Sequence, residues 1–315
     1  MNSLSTSSQK SMLTRIITGT VLVLIGVPCI LFGQWFYFAA VAFLTIVGTH
    51  EFIVCSSMNR YNPLIFAIVH IYVLVATFLP FFFDADLNFS FGLRAPSLFI
   101  SPFLLLVYFF LMFGAALVSD KITVHDSTFL LAMGVYWSLA MRALLYLRYI
   151  VQEVEPDYNI FASCTLFAFV LSGSTMNDIG AYFTGVLFGK HKMIPRISPN
   201  KTWEGFIGGY VFGFVFTFFF AMIMDKVGYP ILPGYLDFAS YHWVNVLILS
   251  LLLPLAGDFG DLIFSAMKRT YGIKDFGRIF PGHGGVLDRF DSLSFCVLMV
   301  AILVCIFIGG FKAIL

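Results

Sequence analysis

The chain has 315 residues, of which 60% are hydrophobic, 18% are aromatic and only 11% are charged. A typical soluble domain has about 25% charged residues, so this composition indicates an integral membrane protein. The formal net charge is +1, and the basic residues gather in two loops rather than on one face, which argues against nucleic acid as a partner.

Apolar stretches long enough to cross a bilayer recur along the whole chain. A transmembrane helix needs about 20 mainly apolar residues. By that criterion the sequence predicts spans near residues 15–33, 35–58, 62–83, 98–118, 128–148, 160–188, 203–224, 243–264 and 293–311. We therefore predict an all-α integral membrane protein with about nine transmembrane helices and no sizeable soluble domain.

Ionisable residues within or at the ends of the predicted spans are few. His50 and Glu51 end the second span, and we interpret them as a local pair whose side chains satisfy each other at the interface. Asp178 lies in a polar run of the sixth span, where an ionised side chain at the bilayer centre costs about 2.5–3.5 kcal/mol on insertion scales. Because charged residues at such depths usually line substrate or ion pathways, Asp178 is a candidate functional residue.

A basic loop lies between the sixth and seventh predicted spans, at residues 189–201. Its last residue, Lys201, stands immediately before a predicted helix, and a helix N-terminus is a natural place to hold phosphate. Glu204 follows three residues later and is predicted to orient the Lys201 side chain. For Lys190 and Lys192, ordinary positive-inside charge remains an alternative.

The eighth predicted span ends in a polar stripe. Four residues share one helical face because they follow one another at intervals of three or four: Asp258, Asp261, Ser265 and Lys268. Asp288 and Asp291 are likewise three apart, near the predicted start of the ninth span. One carboxylate from each helix could hold a divalent cation, and hard oxygen ligands favour Mg²⁺ over zinc. Salt bridges to Arg269 and Arg289 are the alternative interpretation of these carboxylates.

The stretch from Ser265 to Asp291 has the densest concentration of charge in the chain. It reads SAMKRTYGIKDFGRIFPGHGGVLDRFD and contains five cationic side chains and three carboxylates. His283 precedes the flexible pair Gly284 and Gly285. This mixture suits a polyphosphate that is held by cations and a metal.

The same stretch resembles the sequence signature of the phosphatidate cytidylyltransferases, also called CDP-diacylglycerol synthases. The resemblance consists of Ser265, Lys268-Arg269, Lys274-Asp275 and then Pro-x-His-Gly-Gly-x-x-Asp-Arg-x-Asp, which ends at Asp291. The block from Ser198 to Gly209 and the residues Asn177-Asp178 with Ala181-Tyr182 are similar to two further stretches of that family. The N-terminal half is similar only as a hydrophobic anchor region.

The resemblance implies an enzyme, a nucleotidyltransferase of phospholipid biosynthesis. Its reaction would be CTP + phosphatidate giving CDP-diacylglycerol and diphosphate, with the lipid phosphate attacking the α-phosphorus of CTP. The implied partners are CTP, phosphatidic acid and membrane lipid. The implied cofactor is Mg²⁺, and a second cation and a homodimer are left open. A lipid kinase that uses CTP and a polar-lipid or ion transporter remain alternatives.

The resemblance also implies roles for individual residues. Metal binding is implied for Asp261, Asp288 and Asp291. Catalytic roles are implied for Asp261, Asp288, Lys201, Lys268 and Arg269. Substrate binding is implied for Asp178, Ser265, Lys274, His283, Gly284, Gly285 and Arg289. Asp258 has no matching family carboxylate, so an ion pair with a nearby cation is at least as good an interpretation. For His283, proton shuttling and shaping of the loop are equal alternatives.

Residues 1–14 are then predicted to be a cytosolic N-terminal tail, residues 15–150 membrane-anchor helices and residues 151–315 the catalytic membrane region. With nine spans, thirteen Lys and Arg residues fall on the N-terminal side and five on the other. The positive-inside rule therefore places in the cytosol the N-terminus and two loops, at residues 189–201 and 268–289, which we call the motif loops. The short chain favours a bacterial plasma membrane; in a eukaryote, the membrane would be that of the endoplasmic reticulum.

Overall fold

The computed structural model of the protein describes residues 6–57, 61–82, 101–157 and 164–309. Nine α-helices and one short β-hairpin form the regular structure of these ranges. The helices are α1 (Thr6–Phe32), α2 (Gln34–Ser57), α3 (Pro63–Phe82), α4 (Pro102–Val118), α5 (Val124–Val154), α6 (Thr165–Phe188), α7 (Trp203–Lys226), α8 (Trp243–Thr270) and α9 (Leu287–Gly309). The hairpin consists of β1 (Lys192–Ile194) and β2 (Ser198–Thr202). The predicted starts of the fourth and sixth spans lie outside the described residues.

Six of the described helices are long and apolar enough to cross a membrane: α2, α3, α5, α7, α8 and α9. The apolar stretches of α1 and α4 are shorter, and in α6 a polar run around Asn177 and Asp178 interrupts the apolar sequence without breaking the helix. Large apolar side chains such as Phe103 and Phe212 are exposed on the helices, which suits contact with lipid. The chain is therefore an all-α, multi-pass membrane protein, as predicted.

Helix α5 is longer than the span predicted at residues 128–148. Arg142 and Arg148 are two of the five basic residues predicted on the side opposite the N-terminus, but both lie inside α5, are buried and take part in interactions within the protein. Hydropathy alone ends a span at charged residues, whereas a folded protein can surround a guanidinium with partners. Without these two, three of the five basic residues that the sequence predicted on that side remain in the count.

The helices form two contact units, each built from separate stretches of the chain. As far as they are described, the first draws on Met1–Ala76, Ile100–Ser138 and Thr270–Phe290. The second draws on Thr77–Phe99, Leu139–Arg269 and Asp291–Leu315. The three regions predicted from the sequence divide the chain by role, and that division stays a prediction.

In the first unit, aromatic side chains fill the space between helices. Tyr72 stacks on Tyr108 with the ring centroids 3.7 Å apart, and the Tyr108 hydroxyl donates to a backbone carbonyl of α5 at 2.8 Å. The indole of Trp137 donates to the Thr45 carbonyl oxygen at 3.3 Å. The Trp137 contact ties α5 to the middle of α2, the helix that carries Glu51.

In the second unit, glycine allows α6 and α7 to pack closely. A β-carbon added at Gly209 would lie 2.8 Å from both the Ala181 β-carbon and the Asn177 carbonyl oxygen. One added at Gly213 would lie 3.2 Å from the Asn177 β-carbon and 3.1 Å from Pro254 of α8. Small residues let helix backbones approach each other in membranes. The packing therefore holds the Asn177 side chain in the interior, close to α8.

Candidate active site

The β-hairpin brings Lys201 of the second unit to α8. Strands β1 and β2 pair antiparallel, and the Ile197 amide donates to the Ile194 carbonyl oxygen at 3.1 Å in the turn between them. Thr202 ends β2 and caps α7, because its hydroxyl accepts the Gly205 amide at 3.1 Å. The helix start near Thr202 was correctly predicted, whereas the hairpin was predicted only as a loop.

Lys201 forms ion pairs with the polar stripe of α8. Its Nζ lies 2.7 Å from Asp261 Oδ2 and 3.6 Å from Asp258 Oδ1. The Ser265 hydroxyl donates to the other oxygen of Asp261, Oδ1, at 3.3 Å. Asp258 is buried and Asp261 is partly exposed. The structure thus confirms the predicted stripe, and it supplies the cation that pairs with Asp258.

The environment of Lys201 keeps its side chain charged. Burial by itself would lower the pKa of the Lys201 ammonium, but the negative charges of Asp261, Asp258 and Asp178 more than offset that effect and raise the pKa above its ordinary value. Asp178 contributes its negative charge from an exposed position on α6. Lys201 is therefore a permanent cation at neutral pH, as a group that holds phosphate must be.

Beside this ion pair lie buried polar atoms that lack a well-formed hydrogen bond. In the described part of the chain, both side-chain polar atoms of Asn177 and the Oδ2 atom of Asp258 make no hydrogen bond of good geometry, although Asn177 lies close enough to stabilise the Asp258 carboxylate. Buried oxygens of this kind suit a hard cation such as Mg²⁺. No group of three or more His, Cys, Asp or Glu side chains that could hold a metal occurs among the residues described. Phosphate or water oxygens would therefore have to complete the coordination.

The two cations at the end of α8 differ in their surroundings. The Arg269 side chain is exposed, and its Nε donates to the Ile197 carbonyl oxygen at 3.2 Å, which fastens α8 to the hairpin turn. Lys268 is half-buried. A guanidinium has five N–H donors, so this contact leaves Arg269 further donors for a phosphate.

The structure corrects the role predicted for Glu204. Its carboxylate contacts the His191 ring at 2.6 Å between Oε1 and Nδ1 and accepts the Lys190 amide at 3.1 Å. Glu204 therefore fixes the two residues before β1, whereas Asp261 and Asp258 orient the Lys201 side chain. The prediction was wrong because spacing by three residues makes neighbours only within a helix, and Lys201 lies in a strand.

The loop before α9, in the first unit, folds around two glycines with left-handed backbone. Gly282 has φ of 75° and Gly284 has φ of 86°, values that residues with a side chain rarely adopt. The Phe280 amide donates to the Gly284 carbonyl oxygen at 3.0 Å, and the His283 amide donates to the Phe280 carbonyl oxygen at 2.9 Å. The Pro-Gly-His-Gly-Gly sequence therefore forms a compact turn.

Asp288 holds this loop from the start of α9. The residue is buried, and its Oδ2 atom accepts the Phe276 amide at 2.8 Å and the Gly285 amide at 3.0 Å. A β-carbon at Gly284 would lie 2.9 Å from the same oxygen. Asp288 thus has a structural role in the loop besides the metal binding predicted for it.

Glu51 of α2 holds the same loop from the other side, a contact that was not predicted from the sequence. Its buried carboxylate accepts the Val286 amide at 2.9 Å and the Leu287 amide at 2.8 Å. The predicted pair with His50 is wrong, because the His50 ring lies instead beside Phe66 and His70. Adjacent helical residues point in different directions. A carboxylate within a strongly apolar span was the one signal available in the sequence.

The other residues predicted in this stretch occupy different positions in the first unit. Arg289 is exposed, and its Nε donates to the His283 carbonyl oxygen at 2.8 Å. The His283 ring is half-buried, and its Nδ1 has no hydrogen-bond partner among the described residues. Lys274 is exposed. Both interpretations of His283 remain open, and its backbone is part of the turn.

The three carboxylates predicted to bind metal belong to different units. Asp261 and Asp291 lie in the second unit and Asp288 in the first. Gly260 lets the Asp291 backbone contact α8 one residue from Asp261, and Asp291 Oδ1 accepts the Ser292 amide at 2.9 Å. A cation shared by Asp261 and Asp288 stays a prediction.

Comparison with known proteins agrees with these features. The model of the cytidylyltransferase family matches residues 13–307. Phosphatidate cytidylyltransferases of Staphylococcus saprophyticus and Staphylococcus aureus strain COL are 44% and 45% identical over 138 residues, which are 44% of this chain and 47% of each relative. The chain thus spans about half the length of the curated relatives it matches. Because the family match covers nearly all of its residues, the chain belongs to the cytidylyltransferase family.

Proposed function

We propose that the protein is a phosphatidate cytidylyltransferase, which converts CTP and phosphatidate to CDP-diacylglycerol and diphosphate. The observation that carries this proposal is the contact of Lys201 with Asp261 and Asp258. It combines a permanent cation with carboxylates at one end of an apolar helix. The names of the staphylococcal relatives support the same activity.

The residues of the chain would position the phosphates. Lys201, Lys268 and Arg269 of the second unit would hold the triphosphate and the departing diphosphate, because positioning and electrostatics dominate phosphoryl-type transfer. The substrate contact of Lys274, in the first unit, stays a prediction. The lipid phosphate is already anionic at neutral pH and needs no strong base. Asp261 and Asp291, both in the second unit, would hold Mg²⁺, and metal binding by Asp288 stays a prediction. When bound, this ion spreads the negative charge of the phosphates.

Product analysis tests the proposal. Purified protein with phosphatidic acid, Mg²⁺ and CTP labelled at the α-phosphate is expected to give a labelled lipid that migrates as CDP-diacylglycerol. A lipid kinase would release labelled CDP instead and would transfer label to lipid only from the γ-phosphate. Unlabelled lipid with α-labelled CTP would overturn the proposal.

Ser265 is expected to bind rather than to form a covalent intermediate. A serine nucleophile needs a neighbouring base, but the carboxylate that Ser265 contacts, Asp261, is already paired with Lys201. The Ser265→Ala variant should therefore have a lower turnover, but it should not differ from the unaltered protein in diphosphate exchange without phosphatidate. Exchange of labelled diphosphate into CTP should be absent until phosphatidate is added. Strong exchange without phosphatidate, lost in Ser265→Ala, would show the covalent route.

We propose further that the protein lies in a bacterial plasma membrane and that both motif loops face the cytosol. The bacterial origin of the relatives supports the choice of membrane. A membrane-impermeant amine reagent should then label Lys192 and Lys274, which are both exposed, from the cytosolic side only. Lys312, predicted to be labelled from the other side, lies outside the described residues. Labelling of Lys192 and Lys274 from opposite faces would refute this topology.

A further inference from the structure

We propose that Glu51 is a positioning residue for the loop at residues 276–287, so that the region predicted to be only a membrane anchor helps to shape the substrate-binding loop. The inference rests on the proposed function for its kinetic consequence. Its structural basis lies wholly within the first unit, in the contacts between α2 and the loop.

Two carboxylates accept hydrogen bonds from four backbone amides of this loop. Glu51 accepts the amides of Val286 and Leu287, at 2.9 and 2.8 Å. Asp288 accepts those of Phe276 and Gly285, at 2.8 and 3.0 Å. Charge-assisted hydrogen bonds of this kind are about twice as strong as neutral ones. Both ends of the loop are therefore tied to carboxylates.

The Glu51 side chain also accounts for two glycines of the loop. A β-carbon at Gly277 would collide with Glu51 Oε1, and one at Gly285 would collide with both carboxylate oxygens. Neither glycine has the left-handed backbone of Gly282 and Gly284. The lack of a side chain at Gly277 and Gly285 thus leaves room for the Glu51 carboxylate.

Glu51 acts on substrate through the loop and not by contact with it. The residue is 5% exposed, and its carboxylate accepts the amides at the start of α9. That helix N-terminus is therefore satisfied by the protein itself. What Glu51 controls is the placement of His283 and Gly284 in this loop and of Arg289 just after it, all of which are predicted to contact phosphate.

Charge-neutral and shortened variants test the inference. In Glu51→Gln, one acceptor oxygen becomes an NH₂ donor that faces an amide donor, so the loop should shift. A displacement of about 1 Å can cost about 10²-fold in rate, and we expect kcat to fall about 10–100-fold. Glu51→Asp keeps the charge and should recover part of the loss. Glu155→Gln, the same change at an exposed site, should leave kcat unchanged.

Hydrogen exchange gives a readout that does not depend on the reaction. Peptides covering residues 276–290 should exchange at least about tenfold faster in Glu51→Gln than in the unaltered protein, since Val286 and Leu287 lose their acceptors. Wild-type exchange in the loop together with wild-type kcat per folded molecule would overturn the inference. If the unaltered protein makes no CDP-diacylglycerol, the proposed function fails, while the exchange result still decides the role of Glu51.

A second pair of variants covers the case in which Glu51→Gln does not fold. Gly277→Ala leaves Glu51 intact but forces a methyl group against its carboxylate, so the loop should loosen and kcat should fall. Adding Glu51→Asp retracts the carboxylate and should make Gly277→Ala less harmful than it is alone. Losses that simply multiply would contradict a direct contact between Glu51 and the loop.

Discussion

Asp261→Asn is expected to lower cytidylyl transfer by about 10³-fold or more, the scale of several kcal/mol that a metal ligand or a phosphate-holding ion pair supplies. The carboxylate is the partner of Lys201 at 2.7 Å and accepts the Ser265 hydroxyl. The amide keeps the shape of the side chain but removes its charge. Initial rates across a Mg²⁺ titration measure the effect, and the protein should still insert and fold.

The matched control is Asp157→Asn, the same change at an exposed residue of the second unit, which should retain full activity. Asp288→Asn is expected to be as inactive as Asp261→Asn. Full turnover in Asp261→Asn at saturating Mg²⁺ would remove Asp261 from the proposed metal site. A rate that is restored only at high Mg²⁺ concentration would support metal binding, because a higher concentration of the ion would occupy the weakened site.

Lys201→Ala is expected to lower kcat by about 10²–10³-fold, the usual loss for one donor that stabilises the transition state. The variant should also be less stable by roughly 3 kcal/mol, because the buried Asp258 carboxylate loses its cation. Steady-state kinetics with CTP and a thermal unfolding curve in detergent measure the two effects separately. If only KM for CTP rose, Lys201 would be a uniform binding contact.

Two further variants separate stability from chemistry at Lys201. Lys201→Ala combined with Asp258→Asn removes the unpaired charge, so it should recover the unfolding midpoint while kcat stays low. Lys192→Ala removes an exposed cation from the same hairpin and should change neither quantity. Recovery of kcat in the double variant would mean that Lys201 serves only to neutralise Asp258.

Features that depend on local sequence were predicted well. The class of protein and the approximate helix positions follow from composition and hydropathy, because a span depends on about 20 consecutive residues. The contact between Asp261 and Ser265 follows from four-residue spacing on a helix. The start of α7 near Thr202 was also correctly placed, and the Thr202 side chain caps the helix.

The misassigned pairs were those in which sequence proximity was taken for contact. Glu204 was assigned to Lys201 and His50 to Glu51, yet Glu204 holds the turn before β1 and Glu51 holds the loop before α9. The partner of Glu51 is 235 residues away in the chain. The residues of α2 around Glu51 do not predict so distant a partner.

The sequence by itself therefore determined the membrane class, the helices and the set of charged residues available for chemistry. Only the tertiary structure decided which of them meet: Lys201 with Asp261 and Asp258, and Glu51 with the amides before α9. The physical reason is that hydropathy and helical spacing act over a few residues. Contacts between distant segments depend instead on how the helices pack. In this protein, glycines let α6, α7 and α8 approach closely, and the buried Glu51 carboxylate binds backbone amides far away in the chain.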